Sequence, residues 1–350
     1  MRHCTATCFP GRDNRPLLRI TLLILTLLVM ACARPAERPV GPGGGSPALE
    51  SDRMVATDGY TLPLHRWVPE GDPRGVVLAI HGFNDYGGAF SVLADDLNAD
   101  GFALYAYDQR GFGDTTPQGI WPGEALLVDD AILAVRLLRQ RYPERPLFML
   151  GKSMGGAVTM LALTRDDGPT VAGSILVAPA VWGEDVMPWY QRLGLRVGEA
   201  ITPGMRLSVD LAEAMGILPT DDEEVLQAMR DNPRVQREAR VDTIDGLSDL
   251  MGAALEASTD LPGPTLILYG DNDEIIPAEP VCMMVNRQPE PAWRPWRMVL
   301  YPDGYHMLTR YSGSGQVHAD INAWLDDIAA PLPSGHEVSR GDAQGALCNS

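Results

Sequence analysis

Positive charge is scarce in this chain. Lys and Arg together number 28 against 46 Asp and Glu, giving a formal net charge of -18, and Lys152 is the only lysine. Such a surface repels phosphate backbones, which argues against nucleic acid as a partner, and it disfavours electrostatic adhesion to anionic lipid. A long apolar run is missing too. The most hydrophobic stretch, Ile20 to Met30, falls short of the roughly 20 residues that cross a bilayer. Only five cysteines are present, and no Cys/His spacing has the form of a metal site. No internal repeat is found. What is present suits a folded enzyme-sized unit: hydrophobic residues make up 45% and charged residues 21% of 350, enough for one large α/β domain or two modest ones.

The amino-terminal segment has the order basic, apolar, small. Arg12, Arg15 and Arg19 precede Ile20 to Met30, and Ala31 and Cys32 follow. That order predicts a signal peptide over residues 1–31. Val29-Met30-Ala31-Cys32 resembles a bacterial lipobox, with Met30 untypical, so Cys32 is the expected lipidation site. Cleavage after Ala31-Cys32-Ala33 is the alternative and leaves no lipid. Residues 32–50, rich in Pro and Gly, read as a tether. The expected location is the bacterial cell envelope, lipid-anchored at the outer membrane and facing the periplasm; the lipid-free alternative is soluble periplasmic or secreted. The outer-membrane reading rests on Ala33, where an inner-membrane lipoprotein commonly carries Asp. Cys4 and Cys8 leave with the leader. An oxidising compartment permits Cys282 and Cys348 to pair, but residues 331–350 read as a disordered tail, so pairing is not expected.

Strands and helices alternate over most of the chain. Met54 to Trp67 reads as a hairpin turning at Asp58-Gly59. Gly75–Ile80, Phe102–Tyr107, Leu147–Leu150 and Ser174–Ala178 are continuous apolar runs, as in strands covered on both faces. Phe90–Leu97, Glu124–Tyr142 and Ala157–Leu163 have helical spacing. From Pro179 to about Pro264 no strand is evident and helical stretches accumulate, one of them started by a Thr220/Glu223 capping box. Strands resume at Thr265–Tyr269 and Met298–Tyr301, and a helix covers Val317–Ile328. The pattern predicts a mostly parallel sheet with helices on both faces, its core formed by residues 51–178 and 263–330. A helical cap, residues 179–262, lies over the strands' carboxyl ends.

Gly151-Lys152-Ser153-Met154-Gly155 matches G-x-S-x-G, a short pattern that gains meaning from a buried strand before it and a helix after it. At that junction a serine projects from a strained turn at a helix amino end, where N–H groups favour developing negative charge. Its hydroxyl needs a base, and the base needs an orienting carboxylate. On such an elbow the partners follow in the order acid, then His. His306, directly after the last strand, is preferred to His318, which sits at the start of a helix and is expected to face solvent. Asp271, Asp273 and Glu274 all follow the Thr265 strand, and periodicity does not choose between Asp271 and Asp273. The two oxyanion donors are expected to be the backbone N–H groups of Phe83 and Met154. His81 precedes the serine in the chain and is expected to shape its loop through hydrogen bonds. Trp182, Met187 and Trp189 are the candidate acyl-binding residues of the cap, although such side chains on helices more often simply pack. Lys152, beside the nucleophile, is expected to point elsewhere and take no part in activating it.

These motifs together resemble the monoglyceride lipase and lysophospholipase branch of the α/β-hydrolases, also grouped as serine-aminopeptidase-like. The matching residues are His81-Gly82-Phe83-Asn84-Asp85, Asp108-Gln109-Arg110-Gly111-Phe112-Gly113, Gly151 to Gly156, Tyr269-Gly270-Asp271-Asn272-Asp273 with Ile276-Pro277, and Gly304-Tyr305-His306, spanning about Met54 to Ala330. The resemblance selects Asp273 as the acid. It implies an α/β-hydrolase fold, a lid over an acyl pocket, and a serine esterase acting on monoacylglycerols or lysophospholipids without cofactor or metal. Two departures stand out: Lys152, where His is common, and the lipobox with its tether. A proline-type aminopeptidase is the alternative within hydrolases, and a membrane-tethered binding protein on an inactive scaffold is the alternative outside them. The partners expected are a small lipid or ester and, through Cys32, a membrane; the oligomeric state is left open.

Overall fold

A computed structural model describes residues 38–182, 187–210, 213, 215–289 and 295–348. Residues 1–31 and Cys32 lie outside these, as do the first residues of the tether. The described strands are β1 (Ala48–Leu49), β2 (Arg53–Val55), β3 (Thr61–Trp67), β4 (Gly75–Ile80), β5 (Phe102–Tyr107), β6 (Leu147–Lys152), β7 (Gly173–Val177), β8 (Arg206–Ser208), β9 (Glu238–Arg240), β10 (Thr265–Gly270), β11 (Trp296–Tyr301) and β12 (Glu337–Val338). The helices are α1 (Ser91–Ala99), α2 (Glu124–Arg141), α3 (Met154–Thr164), α4 (Trp189–Ile201), α5 (Glu223–Asp231), α6 (Val241–Ala257), α7 (Ala278–Arg287), α8 (Ser314–Asp326) and α9 (Arg340–Leu347).

Ten strands form one sheet in the order β1-β2-β3-β5-β4-β6-β7-β10-β11-β12. Strands β5, β4, β6, β7, β10 and β11 run parallel, so their carboxyl ends share one edge. Every residue of β4, β5, β6, β7 and β10 is buried, which is why these strands read as unbroken apolar runs rather than alternating ones. Their side chains divide between two apolar clusters, one on each face. The hairpin at Asp58-Gly59 forms as expected, with Arg53 opposite Pro63.

Arg110, from the Asp108-to-Gly113 motif, ties the amino-terminal segment to this core. Its guanidinium makes paired hydrogen bonds to Asp58 (2.6 and 2.9 Å) and to Asp130 of α2 (2.6 and 2.9 Å). It also donates to the Pro39 carbonyl at 3.0 Å and lies over the Tyr60 ring. The segment assigned to the tether therefore joins the folded domain well before residue 50. Gly41 N–H bonds Asp58, and β1 pairs with β2.

The insert differs from expectation in three ways. It contains a small antiparallel pair, β8 with β9, each strand too short to be recognised from its pattern. Helix α5 is capped by Asp222, whose carboxylate accepts the N–H groups of Glu224 and Val225, not by Thr220; the Thr220 hydroxyl instead donates to the Arg310 carbonyl. Helix α6, assigned to the cap by sequence, packs on α3, and its Leu250, Met251, Ala254 and Leu255 belong to the main apolar cluster. Helix α6 also packs on α4 of the cap, so it joins the cap to the core.

The carboxyl-terminal tail is ordered, not disordered. Strand β12 pairs with β11 through Met298 and Val338, and α9 packs on α7 with Ala343 and Leu347 buried. Cys348 then forms a disulfide with Cys282 of α7, against expectation. The Gly/Ser/Asp-rich composition concealed two apolar anchors and a Ser339 cap, whose hydroxyl accepts the Asp342 N–H.

Candidate active site

The site is assembled at the carboxyl edge of the parallel strands, where loops after β4, β6, β10 and β11 meet the cap. Ser153 follows β6 directly and starts α3. Its backbone, at φ 53° and ψ -120°, lies in a region that L residues rarely adopt. Close approach of helix to sheet makes this turn possible: a Cβ on Gly155 would sit 2.0 Å from the Ile80 carbonyl oxygen. Met154 is the first residue of α3, so its N–H has no intrahelical acceptor.

The loop after β4 lies against the elbow. The Cβ position of Gly82 is 3.2 Å from Ser153 Cβ and 3.8 Å from its Oγ. His81 shapes this loop, as expected. Its Nε2 accepts the Gln109 N–H at 2.9 Å, which leaves Nδ1 to donate to the Gly82 carbonyl at 2.7 Å. The Gln109 side chain returns a bond to the His81 carbonyl. The ring is fully buried, and burial pushes its pKa below the ordinary histidine value, in keeping with a neutral imidazole. Phe83, next in the loop, packs edge-on against Phe112. Asn84 takes a positive φ of 59°, and its carbonyl accepts the Gln236 N–H of the cap at 2.9 Å.

The carboxylate beyond β10 is resolved by geometry. Asp273 Oδ2 lies 2.8 Å from His306 Nδ1, while its Oδ1 accepts the N–H groups of Ile275 and Ile276, both at 2.9 Å. Asp271 and Glu274 are exposed. Asp273 is thus fixed on one side by the backbone and orients the imidazole with the other, leaving Nε2 as the ring atom for a reacting hydroxyl. Ser153, Asp273 and His306 are all buried, at 8%, 7% and 5% exposure.

Three groups at this edge had no sequence signal for their roles. Lys152 is 3% exposed, and its ammonium lies 3.1 Å from Asp85 Oδ2. Arg310, four residues after His306, donates to that same oxygen. His318 is 3% exposed, not solvent-facing; its ring bonds Asp96 of α1 at 2.6 Å and the Thr309 carbonyl at 3.1 Å, bracing the turn that follows His306. Among the cap candidates, Met187 is buried, Trp182 packs partly buried against the main cluster, and Trp189 is 69% exposed. Trp189 therefore presents its ring to solvent in this conformation.

The cap is clipped to the same loops. Met307 N–H bonds the Pro219 carbonyl at 2.8 Å, and Asp221 receives both the N–H and the hydroxyl of Ser312. Among the described residues no His/Cys/Asp/Glu cluster has the form of a metal site.

The sheet order, the helices on both faces and the elbow after β6 are those of an α/β-hydrolase. Residues 71–310 match the family described as serine aminopeptidase, S33, and the chain belongs to that family. It is 28% identical over 275 residues to a monoacylglycerol lipase of Mycolicibacterium smegmatis, covering 78% of this chain and 95% of that one. Over 294 residues it is 26% identical to the monoglyceride lipase of Rattus norvegicus, covering 80% and 91%. A soluble variant of the Saccharomyces cerevisiae monoglyceride lipase, solved with a substrate analogue, superposes with a TM-score of 0.66 at 23% identity, over 85% of this chain and all of that one. The chain is a carboxylic ester hydrolase.

Proposed function

We propose that the protein hydrolyses a monoacylglycerol or lysophospholipid through an acyl-enzyme on Ser153. The observation that carries this reading is the 2.8 Å contact of Asp273 with His306 Nδ1, on the sheet edge that also bears the strained Ser153 turn. His306 Nε2 takes the hydroxyl proton as Ser153 Oγ attacks the ester carbonyl. Asp273 stabilises the imidazolium that forms and remains ionised. The N–H groups of Phe83 and Met154 hold the oxyanion, the alcohol leaves with the proton from His306, and water then clears the acyl group by the same path in reverse. None of these steps requires a cofactor.

The lipid preference is supported by the two lipase relatives and by the cap. On α4, Trp189, Tyr190, Leu193, Val197 and Ile201 remain exposed at helical spacing, an arrangement suited to a lipid surface. The family description favours a second reading, a proline-type aminopeptidase. Assays on monoacylglycerol, lysophospholipid and proline-arylamide substrates separate the two. Ser153→Ala is expected to reduce turnover of a short p-nitrophenyl ester by several orders of magnitude, on the scale of about 10⁶ for triad knockouts. Unchanged turnover, or failure of the folded protein to react with a fluorophosphonate, would favour a binding protein on a hydrolase scaffold.

Location is part of the proposal. The Cys282–Cys348 disulfide suits an oxidising compartment such as the periplasm. Cys32 is proposed as the acylated residue of a lipoprotein held at the outer membrane. Cys32→Ala is expected to move the protein from the membrane fraction to the soluble one; persistence in the membrane fraction counts against the anchor.

A further inference from the structure

Three separate loops carry the groups that must meet at the reacting carbonyl. The loop after β4 carries Phe83, the elbow carries Ser153, and the loop after β11 carries His306. One buried oxygen touches all three loops. Asp85, two residues after Phe83, has its Oδ1 held by the Tyr86 N–H at 3.1 Å. Its Oδ2 receives both Lys152, the residue before Ser153, and Arg310, at the end of the Leu308–Arg310 turn after His306. The side chains of Asp85 and Lys152 are each 4% exposed, and that of Arg310 is 13% exposed. A single ion pair would have satisfied the carboxylate. Two cations share that oxygen, and the Asp273 carboxylate also acts on Lys152, so these charges form one desolvated network in which each member depends on the others.

We propose that Asp85, Lys152 and Arg310 are positioning residues, the carboxylate clamping the oxyanion loop to the elbow and to the His306 loop, with the Lys152 ammonium required for the elbow contact. The proposal rests on the reading of Ser153, Asp273 and His306 as the catalytic set. A misplacement of reacting groups by about 1 Å costs on the order of 10²-fold in rate, so fixing three loops at one point acts on turnover more than on substrate binding.

The charge on Lys152 is sensitive to its surroundings. The groups that act on it are Asp85, Arg310 and Asp273, and it in turn acts on His81. Burial, then the Arg310 cation, pull its pKa down to about 8, against the opposing pull of Asp85 and Asp273. Above that pH the ammonium becomes neutral and the elbow contact weakens to an ordinary hydrogen bond.

The test is steady-state hydrolysis of a short p-nitrophenyl ester from pH 6 to 10, with functional sites counted by fluorophosphonate titration. It compares wild type, Lys152→Met, Asp85→Asn and Ser153→Ala. In wild type, kcat per titrated site is expected to fall above about pH 8. Lys152→Met is expected to lose about tenfold in kcat with KM within about threefold, and to lose the alkaline limb; Asp85→Asn is expected to lose about 10²-fold. If Asp85→Asn does not fold, Lys152→Met, similar in length and apolar in a buried position, carries the test alone with the wild-type profile. A wild-type kcat flat from pH 7 to 10, together with a Lys152→Met enzyme of wild-type kcat per site, would overturn the proposal. So would a Lys152→Met enzyme with lowered melting temperature but wild-type kcat per site and an unchanged limb. Activity persisting in Ser153→Ala would instead sink the catalytic reading beneath it.

Discussion

Gly270 and Gly304 press together at the base of the site: a Cβ on Gly270 would lie 2.1 Å from the Gly304 carbonyl oxygen. The two glycines open the loops that carry Asp273 and His306. Backbone bonds from Asp271 N–H to the Tyr301 carbonyl and from Asn272 N–H to the Gly304 carbonyl hold the loops in that register. The contact involves backbone on both sides, so no side-chain rotation relieves an added methyl. Gly270→Ala is expected to destabilise the fold by about 1–3 kcal/mol and to lower kcat by separating acid from base. Urea unfolding and ester hydrolysis on the purified variant check both effects. A variant with wild-type kcat would mean that the two loops move together without consequence.

Asp273 and Asp271 lie two residues apart, but only Asp273 reaches the imidazole. Asp273→Asn removes the acceptor that fixes the His306 tautomer, and a loss of about 10⁴-fold in kcat is expected by analogy with triad acids elsewhere. Asp271→Asn, at an exposed position, is expected to leave kcat within about twofold and stability within about 0.5 kcal/mol. Equal losses in the two variants would refute the assignment.

Legibility from sequence followed the physics of each region. Gly75–Ile80 and Leu147–Leu150 were readable as strands because burial on both faces forces an unbroken apolar run. Ser153 was readable because the sharp turn demands small neighbours. The choice between Asp271 and Asp273 was not readable from composition. It depends on the two N–H groups of Ile275 and Ile276, which only the folded turn directs at one carboxylate. Lys152, Asp85 and Arg310 are far apart in the chain, and no periodicity announces that they share an oxygen. His318 was misjudged because a polar residue at a helix start ordinarily faces water, whereas Asp96 and the Thr309 carbonyl supply partners inside the fold. For a similar reason the helical pattern of α6 does not reveal that it packs on the core helix α3 as well as on α4 of the cap.

The tail gives a direct test of what composition concealed. Cys282 and Cys348 are 66 residues apart in sequence, and closing a loop of that length is expected to contribute about 2–4 kcal/mol. Cys348→Ser is expected to lower the urea midpoint accordingly and to expose α9 to limited proteolysis. An unchanged midpoint, under conditions that keep the wild-type bond oxidised, would show that the noncovalent contacts of α9, among them buried Ala343 and Leu347 and the bonds from Arg340 and Gln344 to Asn286, hold it without the bridge.

Asp85 predicts how the fold responds to acid. Burial by itself would raise its pKa, but the Arg310 cation, and then Lys152, hold it at about 2, below the ordinary 3.8. A carboxyl whose pKa is lowered on folding binds its proton less tightly in the native state than in the unfolded chain. Its contribution is therefore complete above about pH 4 and is lost as the pH falls towards 2. A depression of this size corresponds to about 2 kcal/mol. Urea unfolding between pH 5 and pH 2 should show wild type losing about that much more stability than Asp85→Asn, which has no proton to take up at this position. Other carboxylates with lowered values, Asp58 among them, are common to both proteins and cancel in the comparison. Parallel acid limbs would mean that the two cations do not stabilise the Asp85 charge in the folded protein, and that the buried oxygen is held by packing alone.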